Sequence, residues 1–309
     1  MGLNGMGLTG MRLNGMRPRS GKMDKYIVNL CGRVIVAAGV LSLGFLFLLP
    51  IFILLSGSIT DTLEWQERLK PLLMNTKDTI SWQWIPDYPT GEHFRRLLFY
   101  SPGFLRLFWN SVGMVTVILA GQLVVGVPAA WAFAAFSFRG RRLLFFLYVT
   151  LLLLPFQVTQ LSQYLVLREL SLLNTRLSVI LPAVFSTYPV FLIYRSFEGI
   201  PRELLEAARI DGAGEWRIFV QIGLPLAKGG ILAAFVLSFL ENWNRLEEPL
   251  AFLEDKALWP LSLYLPEISL EQAGFAACAS LITLTVSLFV FGLFKDSLEQ
   301  GIIAGAVKG

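Results

Sequence analysis

Six apolar stretches free of Lys, Arg, Asp and Glu dictate what this chain can become. Residues 34–60, 107–138, 143–167, 177–194 and 272–294 form five of them, and a shorter one covers 229–240. About 20 apolar residues in a helix cross the hydrocarbon core of a bilayer, so five runs are long enough as they stand. A membrane β-barrel would instead show runs of about ten residues alternating with polar ones, and it is excluded. Composition agrees: 55% of the 309 residues are hydrophobic and only 16% are charged. A soluble domain carries about 25% charged residues. Lipid is therefore the expected solvent, with eight Trp and eight Tyr available as interfacial anchors. The fold class this predicts is an all-α membrane protein with six transmembrane helices, at about 34–56, 110–135, 143–167, 177–194, 226–248 and 273–294.

Basic residues set the orientation. With the N-terminus in the cytoplasm, 16 Lys/Arg and 8 acids fall inside, against 10 Lys/Arg and 14 acids outside. The positive-inside rule therefore predicts that both termini are cytoplasmic, and the acid-free loop bearing Arg139, Arg141 and Arg142 is its clearest part. The basic excess belongs to membrane flanks, so no nucleic acid is expected as a partner. The first run is too long for a signal-peptide core and reads as a retained helix. Segment 1–33 is expected to be a cytoplasmic tail, disordered at 1–22, where Met1–Met16 repeats a Gly/Met-rich unit too flexible for a helix; Met16 and Met23 are alternative starts. Residues 295–309 form the other tail. Segment 61–106, with Trp65, Trp82, Trp84, Pro86 and Pro89, reads as an ordered external loop. Cys31 and Cys278 are too far apart in sequence to suggest a zinc site or a disulfide. The single histidine, His93, reads as a solvated or interfacial loop residue, and no metal site is expected.

The loop between spans 4 and 5 is the most informative stretch. Pro201 suits a first helical turn, and Glu203 and Glu206 suit its positive N-terminal end. Leu204, Leu205, Ala207, Ala208 and Ile210 favour a helix, and Gly212 permits a left-handed C-cap. A second helix can begin near Gly214 and pack Trp216, Phe219 and Val220, with Pro225 marking the start of span 5. Such a pair of short helices would protrude from the membrane as a knob. Its spacing, Glu206-Ala207-Ala208, three residues, Gly212, nine residues, then Ile222-Gly223-Leu224-Pro225, resembles the EAA signature of ABC importer permeases. Further landmarks are similar to the shorter of the two permeases of maltose-type, carbohydrate ABC importers. They are Leu154–Thr159, Asn174-Thr175, Ile180-Leu181-Pro182, Ile210–Ala213, Trp243-Asn244 and the ending Ile303–Gly309.

The resemblance implies a type I ABC importer permease fold in the bacterial inner membrane, with cytoplasmic coupling helices. It implies a homologous second permease, an ATP-binding cassette ATPase dimer and an extracytoplasmic solute-binding protein as partners. Glu206 would be the charge contact to the ATPase, with Ala207 and Ala208 allowing close approach. Asp211 and Gly212 would set the turn, and the tail ending at Gly309 would reach the ATPase dimer. Outside the resemblance, the chain holds no phosphate loop; Ser20-Gly21-Lys22-Met23 lacks both the preceding spacing and the hydroxyl residue. No catalytic cluster appears either. No cofactor is expected on this chain, ATP and Mg belonging to the ATPase subunits.

Two polar stripes could meet solute. Extending the short fifth run to about Leu250 draws in Glu241, Asn242, Asn244 and Arg245. Charges in a span normally face a wet cavity or each other, and Glu241 and Arg245 stand i, i+4, so an internal ion pair and a solute-touching face are both open. In span 3, Gln157, Gln160 and Tyr164 share one helical face beside Gln163; interhelical hydrogen bonds and contacts to hydroxyl-rich solutes are equally open there. The chain departs from its relatives at Arg245, Glu247 and Glu248 and at Gln160-Leu161-Ser162. A sugar, oligosaccharide or polyol is the expected cargo, glycerol phosphate or a polyamine the alternative, and a secondary transporter the more distant one; the last would call for inverted repeats or midplane ion-binding carboxylates.

Overall fold

A computed structural model describes residues 20–73, 84–264 and 272–306, and the side chains of 32–71, 84–264 and 272–298. The described residues form helices, short turns and one isolated antiparallel bridge, Thr60 to Pro89. The helices are α1 (Ser20–Ile59), α2 (Thr62–Leu73), α3 (Glu92–Phe99), α4 (Pro102–Ala135), α5 (Arg141–Leu153), α6 (Phe156–Glu169) and α7 (Arg176–Val184). They continue with α8 (Thr187–Glu198), α9 (Arg202–Ile210), α10 (Glu215–Ile218), α11 (Leu224–Trp243), α12 (Glu247–Phe252) and α13 (Ala273–Ala306). Among the described residues, five helical segments are long and apolar enough to cross a membrane, and six if the bent pair α5–α6 counts as one span.

The chain divides after Ile53. The first unit is, among the described residues, the greater part of α1, whose apolar side chains from Val34 to Leu48 are exposed. Ser20–Lys22, expected within the disordered tail, are helical; residues 1–19, with the whole Gly/Met repeat, lie outside the described residues, as does Trp82.

In the second unit α11 packs against α13, α8 and α4. One buried cluster surrounds Trp131, whose ring lies 5.1 Å from Phe197 and 5.5 Å from Phe219. Another surrounds Phe104, Phe239 and Trp243. Glycines permit close approaches between these helices. A Cβ on Gly230 would stand 1.6 Å from Ser196 Oγ, and one on Gly223 would stand 2.7 Å from the Trp131 ring. With little hydrophobic drive between helices in lipid, such backbone proximity supplies the packing.

The expected span 3, 143–167, is not one helix. Pro155 removes an N–H and pushes Leu154 into extended backbone (ψ 134°), and α5 and α6 meet at 105°. Span 5 also differs. Expected at 226–248, it ends at Trp243 and gains its length at the other end, running as one 29-residue segment from Glu215. Pro225 lies in the first turn of α11, as expected, but the helical run begins ten residues earlier. Phe219–Gly223 form a π-turn, a widened turn that gives the proline ring room where it cannot donate to the Gln221 carbonyl.

The segment before α4 is held by Glu64, which pairs with Arg68 and accepts the Asp87 and Tyr88 N–H groups at 3.1 and 3.2 Å. His93 is not solvated. It is 4% exposed, its Nε2 lies 3.0 Å from the Thr60 carbonyl, and a Cβ on Gly274 would strike its ring. Cys278 is buried and free, its thiol donating to the Ser58 carbonyl.

Candidate functional site

The knob forms as the turn chemistry requires. After α9, Gly212 adopts φ +80°, with Gly212 N–H bonded to Arg209 O and Ala213 N–H to Ala208 O, both at 3.0 Å. That pair of bonds is a Schellman motif. It ends α9 and lets α10 start three residues later. Arg209 then clasps Glu215 through two bonds, 2.7 and 3.3 Å. The bonded carboxylate holds the guanidinium pKa above its ordinary value. Leu205 and Ile218, 7% and 0% exposed, anchor the two helices in the Trp131 cluster.

The knob's other face is bare. Glu206, Ala207, Asp211 and Gly212 are exposed and Ala208 is half-buried. Glu206 forms no hydrogen bond or ion pair with a described residue. On the same knob Ile210 is 86% exposed and Trp216 74% exposed. Trp216, expected to pack inward, therefore faces out, and Val220 is also exposed; Phe219 is buried as expected. An exposed carboxylate without a hydrogen-bonded partner, on a knob that also bares an isoleucine and a tryptophan, is suited to contact with another protein. Gly309 lies outside the described residues.

The polar stripe of α6 meets α12 rather than the polar residues at the end of α11. α6 leans on α12, bringing Gln160 Nε2 to 3.5 Å from the Glu247 carbonyl and Tyr164 to 6.5 Å from Phe252. Gln157 is exposed. Arg245, just past α11, reaches Glu241 at 2.8 Å and Glu248 at 2.6 Å, and its Nε is buried without an acceptor. The expected Glu241–Arg245 pair is thus present, widened to a second carboxylate. Asn242 and Asn244 donate to their own helix, to Ser238 O and Leu240 O. Asn244 is exposed; Asn242 is buried, with Oδ1 lacking a donor.

Sequence reasoning named Asn174 only as a landmark of the resemblance and missed both its role and Asn110 in pinning the segment after α12. Asn174, at φ +57°, bonds through its N–H to Phe252 O, and its Oδ1 accepts from Glu254 and Asp255 at 3.1 and 2.9 Å. Asn110 donates to the carbonyls of Ala257 and Trp259 and accepts from Arg176. The only sequence signal was an Asn before Thr175, a residue type that tolerates left-handed backbone.

Residues 122–303 match the family described as "Binding-protein-dependent transport system inner membrane component". The arabinooligosaccharides transport system permease protein AraQ of Halalkalibacterium halodurans is 32% identical over 205 residues, 65% of this chain and 74% of its own length. The diacetylchitobiose uptake system permease protein NgcG of Streptomyces coelicolor is 31% identical, covering 66% and 70%. The sn-glycerol-3-phosphate transport system permease protein UgpE of Brucella abortus is 30% identical, covering 74% and 78%. Among solved structures, a chain of a bacterial ABC transporter involved in import of the acidic polysaccharide alginate shares the fold, with a TM-score of 0.69, 19% identity, and coverage of 92% of this chain and 99% of that one. The matched segment starts within α4, ends in α13 and contains the knob. The chain accordingly belongs to the family of binding-protein-dependent transport system inner membrane components: it is a multi-pass importer permease, not an enzyme.

Proposed function

We propose that this permease works with a homologous second permease, two ATP-binding cassette ATPases and an extracytoplasmic solute-binding protein to import a neutral sugar or oligosaccharide. In this arrangement both termini are cytoplasmic, and ATP with its Mg is held by the ATPases. The observation that carries the reading is Glu206, exposed and without an ion-pair partner on a knob locked by Gly212 and Arg209–Glu215. ATPase closure would push this knob, and the spans would tilt between inward- and outward-facing states.

Charge supports a neutral cargo. Arg245 is the one base among the candidate solute residues, and Glu241 and Glu248 occupy it. A phosphate would therefore find no free cation there, which weighs against glycerol phosphate. The amides of Gln157, Gln160 and Asn244 with the Tyr164 ring suit a hydroxyl-rich solute.

The test is Glu206→Lys in the assembled transporter. The variant should insert normally, lose ATPase subunits on purification and abolish uptake of the sugar that the solute-binding protein selects in a thermal-shift screen. Normal uptake would sink the coupling role; selection of a phosphorylated solute by that protein would sink the cargo.

A further inference from the structure

The connection from α4 to α5 builds a second site unrelated to the knob's bare face. Gly140, at φ +80°, reverses the chain so that α5 starts beside the end of α8 and the start of α9. Between them lies a cavity of about 790 Å³ lined by Phe138, Arg141, Arg142, Phe145, Tyr194 and Arg202, among others. That volume lies within the usual range for a small-molecule pocket.

Its charge is of one sign. Arg141, Arg142 and Arg202 line it and Arg139 flanks it, and none of the four forms an ion pair with a described residue. The nearby carboxylate, Glu198, is already engaged, accepting from Tyr194 Oη at 2.8 Å and from Arg195 at 2.9 Å. The Arg141 guanidinium sits beside the same Tyr194 hydroxyl. At the start of α5 the Arg141 N–H is taken by Phe138 O and the Leu144 N–H by Gly140 O, so the first turn adds the backbone N–H groups of Arg142 and Leu143. Guanidinium groups converging on a helix start favour a phosphate, which they bind through paired N–H donors.

The apolar surroundings choose among phosphate sources. From the mouth of the cavity α5 exposes Leu143, Leu144, Phe146, Leu147 and Leu151. A carboxylate on a protein partner would use the arginines alone. A phosphodiester carrying two acyl chains would use both the arginines and this strip.

We propose that this cavity binds the phosphodiester headgroup of an anionic phospholipid, with its acyl chains along α5. Because Arg202 opens α9, the bound lipid touches the root of the knob and makes coupling sensitive to leaflet charge. Lipid binding itself stands apart from the importer reading; the leaflet that supplies the lipid and the effect on coupling rest on it. Basic pockets on the cytoplasmic side, where anionic lipids are enriched, are the natural place for such sites.

The test uses the purified full chain in its assembled transporter, without ATP or solute, so that binding is scored independently of transport. Native mass spectrometry follows retention of phosphatidylglycerol or of phosphatidylcholine with the same chains. The wild type should retain phosphatidylglycerol preferentially. Arg141→Gln/Arg142→Gln/Arg202→Gln should weaken this at least about tenfold, equivalent to about 1.4 kcal/mol, and the triple Lys variant should restore most of it. Equal retention by the wild type and the Gln variant would overturn the proposal. So would displacement of the lipid by equimolar inorganic phosphate, which marks a free-anion site. Unchanged lipid retention with loss of the ATPase would likewise overturn it, assigning the arginines to a protein carboxylate.

Discussion

Arg209 and Glu215 close the turn between α9 and α10 with two hydrogen bonds, 2.7 and 3.3 Å, six residues apart. The clasp is exposed, so its contribution to global stability is small, below about 1 kcal/mol. Its effect is on the knob's orientation. Arg209→Ala and Glu215→Ala should each leave the melting temperature of the purified transporter nearly unchanged. Both should reduce stimulation of ATP hydrolysis by solute, and a double-mutant cycle on that stimulation should show strong coupling between the two sites.

Gly212 isolates backbone from packing. A Cβ there would meet nothing within 4 Å, yet φ is +80°. Gly212→Val should therefore cost about 1–2 kcal/mol through left-handed strain alone and lower uptake by straightening the turn. Gly212→Asn should retain most uptake, since Asn tolerates this conformation. Uptake assays in vesicles containing equal amounts of permease would separate the two.

The contact of Gly230 with Ser196 predicts a rescue. Gly230→Ala should destabilise the α8–α11 packing by about 1–3 kcal/mol through overpacking, read as a lower melting temperature in detergent. Adding Ser196→Gly should recover most of the loss, because only the Ser196 side chain stands closer than 3.8 Å to the new methyl.

Glu248, beyond the end of the fifth span, has its carboxyl pushed above the usual carboxylate range because burial outweighs the attraction of Arg245. The folded chain thus keeps this proton to higher pH than the unfolded chain. The resulting stabilisation is complete below the ordinary carboxylate pKa and is lost as pH rises through the raised value. Arg245→Met should enlarge that loss by removing the cation, and Glu248→Gln should abolish the dependence. Limited proteolysis of the 246–264 segment as a function of pH reads both.

Asn174 offers a side-chain test on one backbone. Asn174→Gly keeps φ +57° accessible but removes the acceptor for Glu254 and Asp255. Each lost bond is worth about 1 kcal/mol. Hydrogen exchange at 253–256 should accelerate in Asn174→Gly and remain slow in Asn174→Asp.

What could be read from the chain beforehand divides along physical lines. The turn at Gly212 was legible because helix-capping chemistry is local and a glycine at that spacing has few other uses. The membrane class was legible because long uncharged runs have few alternatives. The kink at Pro155 was written in the sequence, yet the surrounding apolar run masked it, since hydropathy measures length and not direction. Span 5 was displaced because Pro225 commonly starts a helix, whereas here a π-turn carries the helix through it. His93 lies between charged neighbours and looks wet; Thr60 and Gly274, 33 positions before and 181 after it, make it dry. The joining of Gln160 to α12 is equally non-local, depending on the α5–α6 kink for its direction.

The unbroken run from Glu215 to Trp243 has a mechanical consequence. At about 1.5 Å per residue, its 29 residues make a rod about 44 Å long with Trp216 near one tip and Asn242 near the other. No slack linker interrupts it, so a shove on the tryptophan is delivered to the far tip as tilt or twist. The widened turn over Phe219–Gly223, braced by Trp131, is where the rod departs from regular α-helix, like a stiff wrist.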